Sequence, residues 1–338
     1  MPYHVRIAET DVAFEVGADE SILEAAMRAD VNMAHECQFG GCGTCRIKLL
    51  EGSVRYDEFP MALTEEEHAE GYALACQARP NADVVISPAA KGMEFAPAAV
   101  VQARVKSIEP LTADITHLTL QLPEQLLLDY RPGQYMNILL QDGSTRSFSM
   151  ASAHLPDNMV DFHIRRIQGG YFTNEQLRAM QPQTPLRIEI PLGTFCYHED
   201  DWRPLIMVAT GTGLAPIKAI LESLLDNDDC PPVSLYWGMR TEKDLYLSHE
   251  IESWKGRLYE FNFVPVLSRP SADWQGRRGH VQHAVIDDFD DLSEHAVYLC
   301  GSPTMVVEAK SLFAGKGASL DYLYSDSFTF QTPVALVT

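Results

Sequence analysis

The amino-acid sequence predicts a multidomain chain of three consecutive folds: a small α+β module, an antiparallel β-barrel or sandwich, and a parallel α/β domain with a Rossmann-like sheet. Three observations carry that expectation. The hydrophobic rhythm changes twice along 338 residues, from short alternating runs around one helix, to evenly spaced strands, to apolar strands alternating with helices. Glycine and cysteine are concentrated in one short stretch, CQFGGCGTC, Cys37 to Cys45. A strand–glycine–helix junction, LIMVATGTGLAP, follows near the start of the last segment.

Composition bounds the function. Hydrophobic residues make up 46% of the chain and charged residues 22%, an ordinary globular balance. A net charge of −21 argues against binding a nucleic-acid backbone, which needs basic patches. Residues 1–90 hold 16 acidic and 6 basic residues, whereas 99–199 hold 10 and 8. Most of these acids are expected to form a solvated surface; the sharper expectation is an acidic first domain that steers a basic partner. The chain begins without an apolar signal core, has no run of 18 apolar residues to span a membrane, and has an odd number of cysteines, seven. Together these predict a cytoplasmic protein with reduced thiols.

In the first segment, YHVRI and VAFEV suit a β-hairpin. Ser21 with Glu24 three residues on is a capping box opening a helix with apolar Ile22, Leu23, Ala26 and Met27. RIKLLEG, YALACQ and VVISP close a small domain over 1–90, and AAKGMEFAPAA reads as a linker, placed at 91–98. Strands VVQARVKSIE, ITHLTLQL, QYMNILLQ, SFSMAS, MVDFHIRRI and LRIEIP fill 99–199. From 200 to 338, LIMVAT, VSLYWG, FNFVPVLS and AVYLCG alternate with helical stretches such as PIKAILESLLD.

Cys37, Cys42, Cys45 and Cys76 have the spacing C-x4-C-x2-C-x30-C, the plant-type pattern in which four thiolates hold a [2Fe–2S] cluster. Gly40, Gly41 and Gly43 would let backbone N–H groups approach the sulfurs. Structural zinc is the competing occupant, but its ligands come as two close pairs and Cys76 stands alone. Cys196, Cys230 and Cys300 lie outside the spacing.

Three stretches in 99–199 suit a flavin. RSFSMAS offers Arg146 for a phosphate, Phe148 against a flat ring, and Ser149 for a ring nitrogen. HIRRI alternates along a strand, and GGYFTN, from Gly169, leads into a helix N-terminus suited to phosphate. In the last segment Gly211, Thr212 and Gly213 make a turn aimed at a dinucleotide pyrophosphate, with Pro216 opening the helix. CGSP repeats the device with Cys300 and Gly301.

Taken in this order, the modules resemble the reductase component of bacterial multicomponent oxygenases, in the ferredoxin–NADP reductase superfamily, and most of all the reductases of aromatic-ring-hydroxylating dioxygenases. The resemblance covers essentially the whole chain. It implies a β-grasp plant-type ferredoxin domain (1–90), an FAD-binding antiparallel β-barrel (99–199) and a C-terminal parallel-sheet NAD(P) domain (200–338). The family's R-x-Y-S motif is matched by Arg146, Ser147, Phe148 and Ser149, with phenylalanine where tyrosine is usual. By resemblance His163, Ile164 and Arg165 line the ribityl and phosphate side, and Gly169, Gly170 and Thr173 match the second pyrophosphate element. Cys300 would sit near the nicotinamide, Phe328 would cover the flavin face, and Asp326 would lie nearby, within the terminal YSDSF motif.

Arg240 after the second strand suits a 2′-phosphate, yet the resemblance favours NADH, so NADH is expected with NADPH as an alternative. The implied activity is hydride transfer from NADH to FAD and single-electron delivery through the cluster to a terminal oxygenase or a separate ferredoxin. Ser149 and Asp326 are expected to affect the rate by positioning. Acidic residues around Glu65, Glu66 and Glu67 are the expected docking face, and the chain is expected to be monomeric. Two alternatives remain: service to a di-iron monooxygenase or deoxysugar pathway, and a non-enzymatic metal-stabilised NAD-binding sensor.

Overall fold

The computed structural model describes residues 2–88, 93, 95–126 and 128–329. Most of the expected linker lies outside the described residues. The chain forms two compact units. One comprises residues 1–94, Ser302–Ala314 and the segment from Ser325; the other comprises Phe95–Gly301 and Gly315–Tyr324.

In the first unit the hairpin forms as expected, β1 (Tyr3–Ile7) pairing antiparallel with β2 (Ala13–Val16). Alternation buries Val5, Ile7, Phe14 and Val16 on one face. Helix α1 (Ile22–Arg28) starts at Ser21, whose Oγ accepts the Glu24 N–H at 3.2 Å while Glu24 accepts the Ser21 N–H at 2.8 Å. Strands β3 (Arg46–Glu51), β4 (Val54–Arg55), helix α2 (Glu65–Ala69), β5 (Tyr72–Leu74), β6 (Arg79–Pro80) and β7 (Val84–Pro88) follow. The five-stranded sheet runs β2-β1-β7-β3-β5, with β1 and β7 parallel, and α1 lays Ile22, Leu23, Ala25 and Ala26 into the core.

In the second unit six antiparallel strands, β8 (Ala99–Pro110), β9 (Ile115–Gln121), β10 (Tyr135–Leu139), β11 (Thr145–Ser149), β12 (Met159–Arg165) and β13 (Pro185–Leu192), form the order β11-β10-β13-β8-β9-β12. The edge strands approach each other where the Ala151 N–H donates to the Asp161 carbonyl at 2.9 Å, which curls the sheet toward a barrel. Its interior is apolar, centred on Leu118, Leu120, Met136, Ile138, Phe162, Ile164 and Ile188. A tight turn at Tyr171–Gln176 leads into the short helix α3 (Leu177–Ala179).

The last sheet has the order β17-β16-β15-β14-β18-β19, from β14 (Leu205–Thr210), β15 (Val233–Met239), β16 (Asn262–Leu267), β17 (Arg277–Arg278), β18 (Ala296–Gly301) and β19 (Leu323–Ser327). Strands β14, β15, β16 and β18 are parallel and almost continuously apolar, as a sheet covered on both faces requires. Helices α4 (Leu214–Leu224), α5 (Ser248–Glu252) and α6 (Val281–Asp288) pack on it, whereas α7 (Pro303–Ala314) belongs to the first unit. A short 3₁₀ turn, Gly211–Gly213, precedes α4, so Pro216 is the third residue of the helix, still where no intrahelical N–H is needed. Among the described residues no helix is long and apolar enough to cross a membrane.

Removing the α1 cap tests the local logic. Ser21→Ala should cost about 1 kcal/mol, read as a lower denaturant midpoint for the first unit by circular dichroism, with Ser21→Thr close to the parent.

Candidate functional site

Three of the four motif cysteines occupy one loop, Cys76 lies in the turn after β5, and none forms a disulfide. Gly40 and Gly43 have φ of +79° and +88°, a region that favours glycine. A Cβ on Gly41 would lie 2.5 Å from the Phe39 ring and 3.0 Å from the Thr329 methyl. The glycines thus fold the loop tightly, and the Gly41 and Cys42 N–H groups point at Cys37 Sγ, 3.3 and 3.4 Å away.

The sulfurs are arranged as two pairs. Cys37 hydrogen-bonds with Cys42, which lowers the Cys37 thiol to about 5 and, with burial, raises Cys42. Cys45 hydrogen-bonds with Cys76, which lowers Cys76 and raises Cys45. A zinc ion would draw all four sulfurs to roughly 3.8 Å of one another, from Zn–S bonds of about 2.3 Å. Yet among the described residues the one group of three or more ligating side chains with donor atoms all within 4.8 Å is His117, Asp161 and His163. Two separated sulfur pairs suit two irons, and the residues present fit a [2Fe–2S] cluster held by Cys37, Cys42, Cys45 and Cys76.

Glu67 does not belong to a docking face. Glu65 and Glu66 are exposed, but Glu67 is fully buried, ion-paired with Arg46 at 3.0 Å and with Lys310 at 3.1 Å. The physical reason is its place three residues after the N-cap Thr64, whose N–H it accepts at 3.0 Å, turning the side chain inward.

In the barrel, Arg146, Ser147 and Phe148 lie along β11 partly exposed, with Ser149 buried at its end. Ser147 Oγ donates to Asn137 at 2.8 Å, and Phe148 packs 5.6 Å from Phe172 at the edge of the core. A Cβ on Gly170 would meet Thr173 Oγ1 at 2.7 Å and the Ile167 carbonyl at 3.0 Å, so this turn closes only around glycine. Thr173 Oγ1 accepts the Ile167 N–H at 3.2 Å, and Gly169 has φ of +75°. Ile164 points into the barrel core, and Arg165 pairs with Asp114 at 3.3 Å.

The two glycine turns of the parallel sheet press on each other. A Cβ on Gly213 would fall 2.4 Å from the Cys300 carbonyl oxygen, and one on Gly301, φ +148°, would fall 2.1 Å from Thr210 Oγ1. Thr212 lies between Gly211 and Gly213 in the turn, and the buried Cys300 is the next-to-last residue of β18. Arg165 Nη1 would be 3.1 Å from a Cβ on Gly211, which brings a cation from the barrel to the nucleotide turn. A helix start, open glycine backbone and this guanidinium suit a pyrophosphate. Arg240 is exposed beyond β15.

Several groups here carried no sequence signal. Trp237 Nε1 donates to the Gly211 carbonyl at 3.0 Å, and Tyr246 lies edge-on to Trp237 with its hydroxyl 3.2 Å from His163 Nδ1. Burial pushes His163 down to about 3, so its imidazole is neutral. His117 Nε2 lies 2.8 Å from Asp161 Oδ2, and Lys218, on α4, donates to the Ala151 carbonyl at 3.1 Å and contacts Glu222. A single strand–turn–helix unit is thereby keyed to the barrel wall.

The YSDSF motif behaves differently from the expectation of a flavin cover alone. Its backbone lies along the cysteine loop: the Ser327 N–H donates to the Cys42 carbonyl at 3.4 Å, and Thr329 meets Gly41. Phe328 is half-buried, and burial pushes the Asp326 carboxyl up to about 7.

Two outcomes follow from this geometry. Gly213→Ala forces its Cβ into backbone, so KM for NADH should rise roughly tenfold, about 1.4 kcal/mol, with the visible spectrum unchanged. Asp326 holds its proton in the folded state above the pH at which the unfolded carboxyl loses it. Its contribution is therefore present below about pH 4 and lost as pH rises toward 7. Thermal melts of Asp326→Asn across this window should fall less steeply with pH than those of the parent.

Family models match the three segments in order: the 2Fe-2S iron-sulfur cluster binding domain over 5–81, the oxidoreductase FAD-binding domain over 102–197 and the oxidoreductase NAD-binding domain over 207–311. The chain is 34% identical to Protein RfbI of Salmonella typhimurium, covering 97% of both chains. It is 32% identical to a CDP-6-deoxy-L-threo-D-glycero-4-hexulose-3-dehydrase reductase of Yersinia pestis, covering 97% of this chain and 99% of that one. Identity is 30% to terephthalate 1,2-dioxygenase reductase component 1 of Comamonas sp, covering 97% and 98%. The crystal structure of the Amycolatopsis cytochrome P450 reductase GcoB superposes with a TM-score of 0.72 at 30% identity, covering 96% of this chain and 98% of that one. With its cysteine pairs, flavin barrel and nucleotide turn in this order, the chain belongs to the ferredoxin–FAD–NAD reductases of the ferredoxin–NADP reductase superfamily, the oxidoreductase components that carry electrons from NADH through FAD to a [2Fe–2S] cluster.

Proposed function

We propose that this reductase serves a separate protein acceptor, the terminal oxygenase of an aromatic-ring-hydroxylating dioxygenase or its intermediary ferredoxin. The observation that carries the reading is the joining, in one chain, of a cysteine loop fitted to a one-electron centre and a barrel and nucleotide turn fitted to a two-electron exchange. FAD, when bound, supplies the conversion between hydride and single electrons. The chain positions and tunes. Arg146 and the Gly169–Thr173 turn would hold flavin phosphate, Ser149 would present its hydroxyl to the ring, and Ile164 would hold the strand in place by packing in the barrel. Arg165, Gly211 and Gly213 would hold the nicotinamide dinucleotide, with the Trp237 indole fixing the turn from behind. Cys300, next to last in the neighbouring strand, would lie near the nicotinamide ring. Arg240 would meet a ribose-side phosphate if NADPH replaced NADH.

A second reading has its own support. The 32% identity to a hexulose-dehydrase reductase over nearly the full length favours a deoxysugar dehydrase as acceptor. The two readings share every step inside this chain and differ only in the partner.

An acceptor-resolved assay tests both. With Cys76→Ser, NADH should still reduce ferricyanide within about twofold of the parent, because that dye takes electrons directly from reduced flavin. Cytochrome c reduction should fall at least tenfold, about 1.4 kcal/mol in barrier. Equal loss with both dyes would reject the order NADH, flavin, cluster. Product formation with a purified ring-hydroxylating oxygenase, compared with a purified sugar dehydrase, then separates the two acceptors.

A further inference from the structure

One buried charge cluster has no part in holding any cofactor. Lys310, on α7, is fully buried, with Nζ 3.1 and 3.2 Å from the two oxygens of Glu67 and 3.1 Å from the Ala62 carbonyl. Arg46 shares the same carboxylate, its guanidinium lying over the Tyr72 ring at 3.8 Å. Burial, reinforced by the neighbouring Arg46 cation, holds the Lys310 amine below its ordinary range, and the Glu67 carboxylate partly offsets this by favouring the ammonium. Glu67 is thus the shared counter-ion of two cations, Arg46 and Lys310.

These cations connect to the cysteine loop by two routes. Arg46 directly follows Cys45. Ala62 accepts from Lys310 through its carbonyl and donates its own N–H to the Gly40 carbonyl at 3.0 Å, so Lys310 is two hydrogen bonds from the loop. The matched cluster-binding domain ends at residue 81, so this cation comes from outside it.

We propose that Lys310, held by Glu67, is a positioning and tuning residue that raises the reduction potential of the [2Fe–2S] cluster. Reduction adds one negative charge to a centre already carrying four thiolates. In a dry interior, where screening is weak, a fixed cation nearby stabilises that added charge. Glu67 sets the sign and size of the effect by offsetting one of the two cations. The inference rests on the cluster assignment, and the electron paramagnetic resonance signal of the reduced protein reports that assignment independently of the potential.

The test is a redox titration of the full-length holoprotein, following the cluster signal and, separately, the flavin absorbance. Lys310→Met should lower the cluster potential and leave the flavin potential unchanged, while Lys310→Arg should restore the parent value. Glu67→Gln should move the cluster potential the other way, upward. Opposite signs from the two partners of one ion pair are what electrostatic tuning requires, and loss of packing would not produce them. An unchanged cluster potential in Lys310→Met, or shifts of the same sign in both variants, overturns the proposal. If Lys310→Met fails to retain the cluster, Glu67→Gln decides: no rise in potential overturns it. A reduced parent protein with no cluster signal would instead overturn the cluster assignment.

Discussion

A four-thiolate iron–sulfur centre is an anion, and placing an anion in a protein interior is costly unless the surroundings answer its charge. The first unit is organised around that cost. Positive-φ glycines at 40 and 43 bend the backbone until N–H groups at Gly41 and Cys42 face a sulfur. A bulkier residue at either position would open the loop and turn those donors away. The same loop is backed by Ala62, which couples it to a buried ammonium, and by the Ser327 N–H, which satisfies the Cys42 carbonyl. Fold and electrostatics are one constraint here: the backbone that shapes the loop also supplies its partial positive charges.

The second unit answers a different demand, holding two long cofactors against each other without side chains in the way. Its solution is contact between turns. Thr210 lies so close to Gly301, and the Cys300 carbonyl so close to Gly213, that β14 and β18 present bare backbone at their carboxyl ends. Such crevices at strand ends are where open parallel sheets bind nucleotides. The wall opposite is polar but not freely charged: His163 is neutral by burial, Asp161 is paired with His117, and Lys218 is matched by Glu222. Arg165, which pairs with Asp114 through Nε, brings Nη1 to the Gly211 turn from the barrel side, a suitable complement to a pyrophosphate.

Legibility in the sequence followed the range of the interaction. The Ser21 cap, the hairpin, the barrel strands and the glycine turns all depend on residues a few positions apart, and each pattern predicted its element. The cysteine spacing was equally readable, although Cys76 is distant, because four ligands of one centre must recur in a recognisable set. Lys310 and Trp237 were not readable, since each acts on a residue far along the chain and neither stands in a local pattern. Glu67 is the instructive case. It sits in a run of three glutamates, which reads as a solvated acidic patch. The available signal was the T-x-x-E spacing from Thr64, which selects the third glutamate for the cap and so directs it inward.

The compact units do not coincide with continuous stretches of sequence, and this bears on how separable the modules are. The chain passes between the units at residues 94–95, 301–302, 314–315 and 324–325. A ferredoxin piece cut at residue 90 would keep its sheet, both its helices and all four ligands. It would lose Lys310, and with it one of the two cations that Glu67 pairs with. It would also lose the Ser327 N–H, exposing the Cys42 carbonyl beside the cluster. The cluster-binding module is therefore completed by residues more than two hundred positions away in the sequence, and its stability and charge environment are properties of the whole chain.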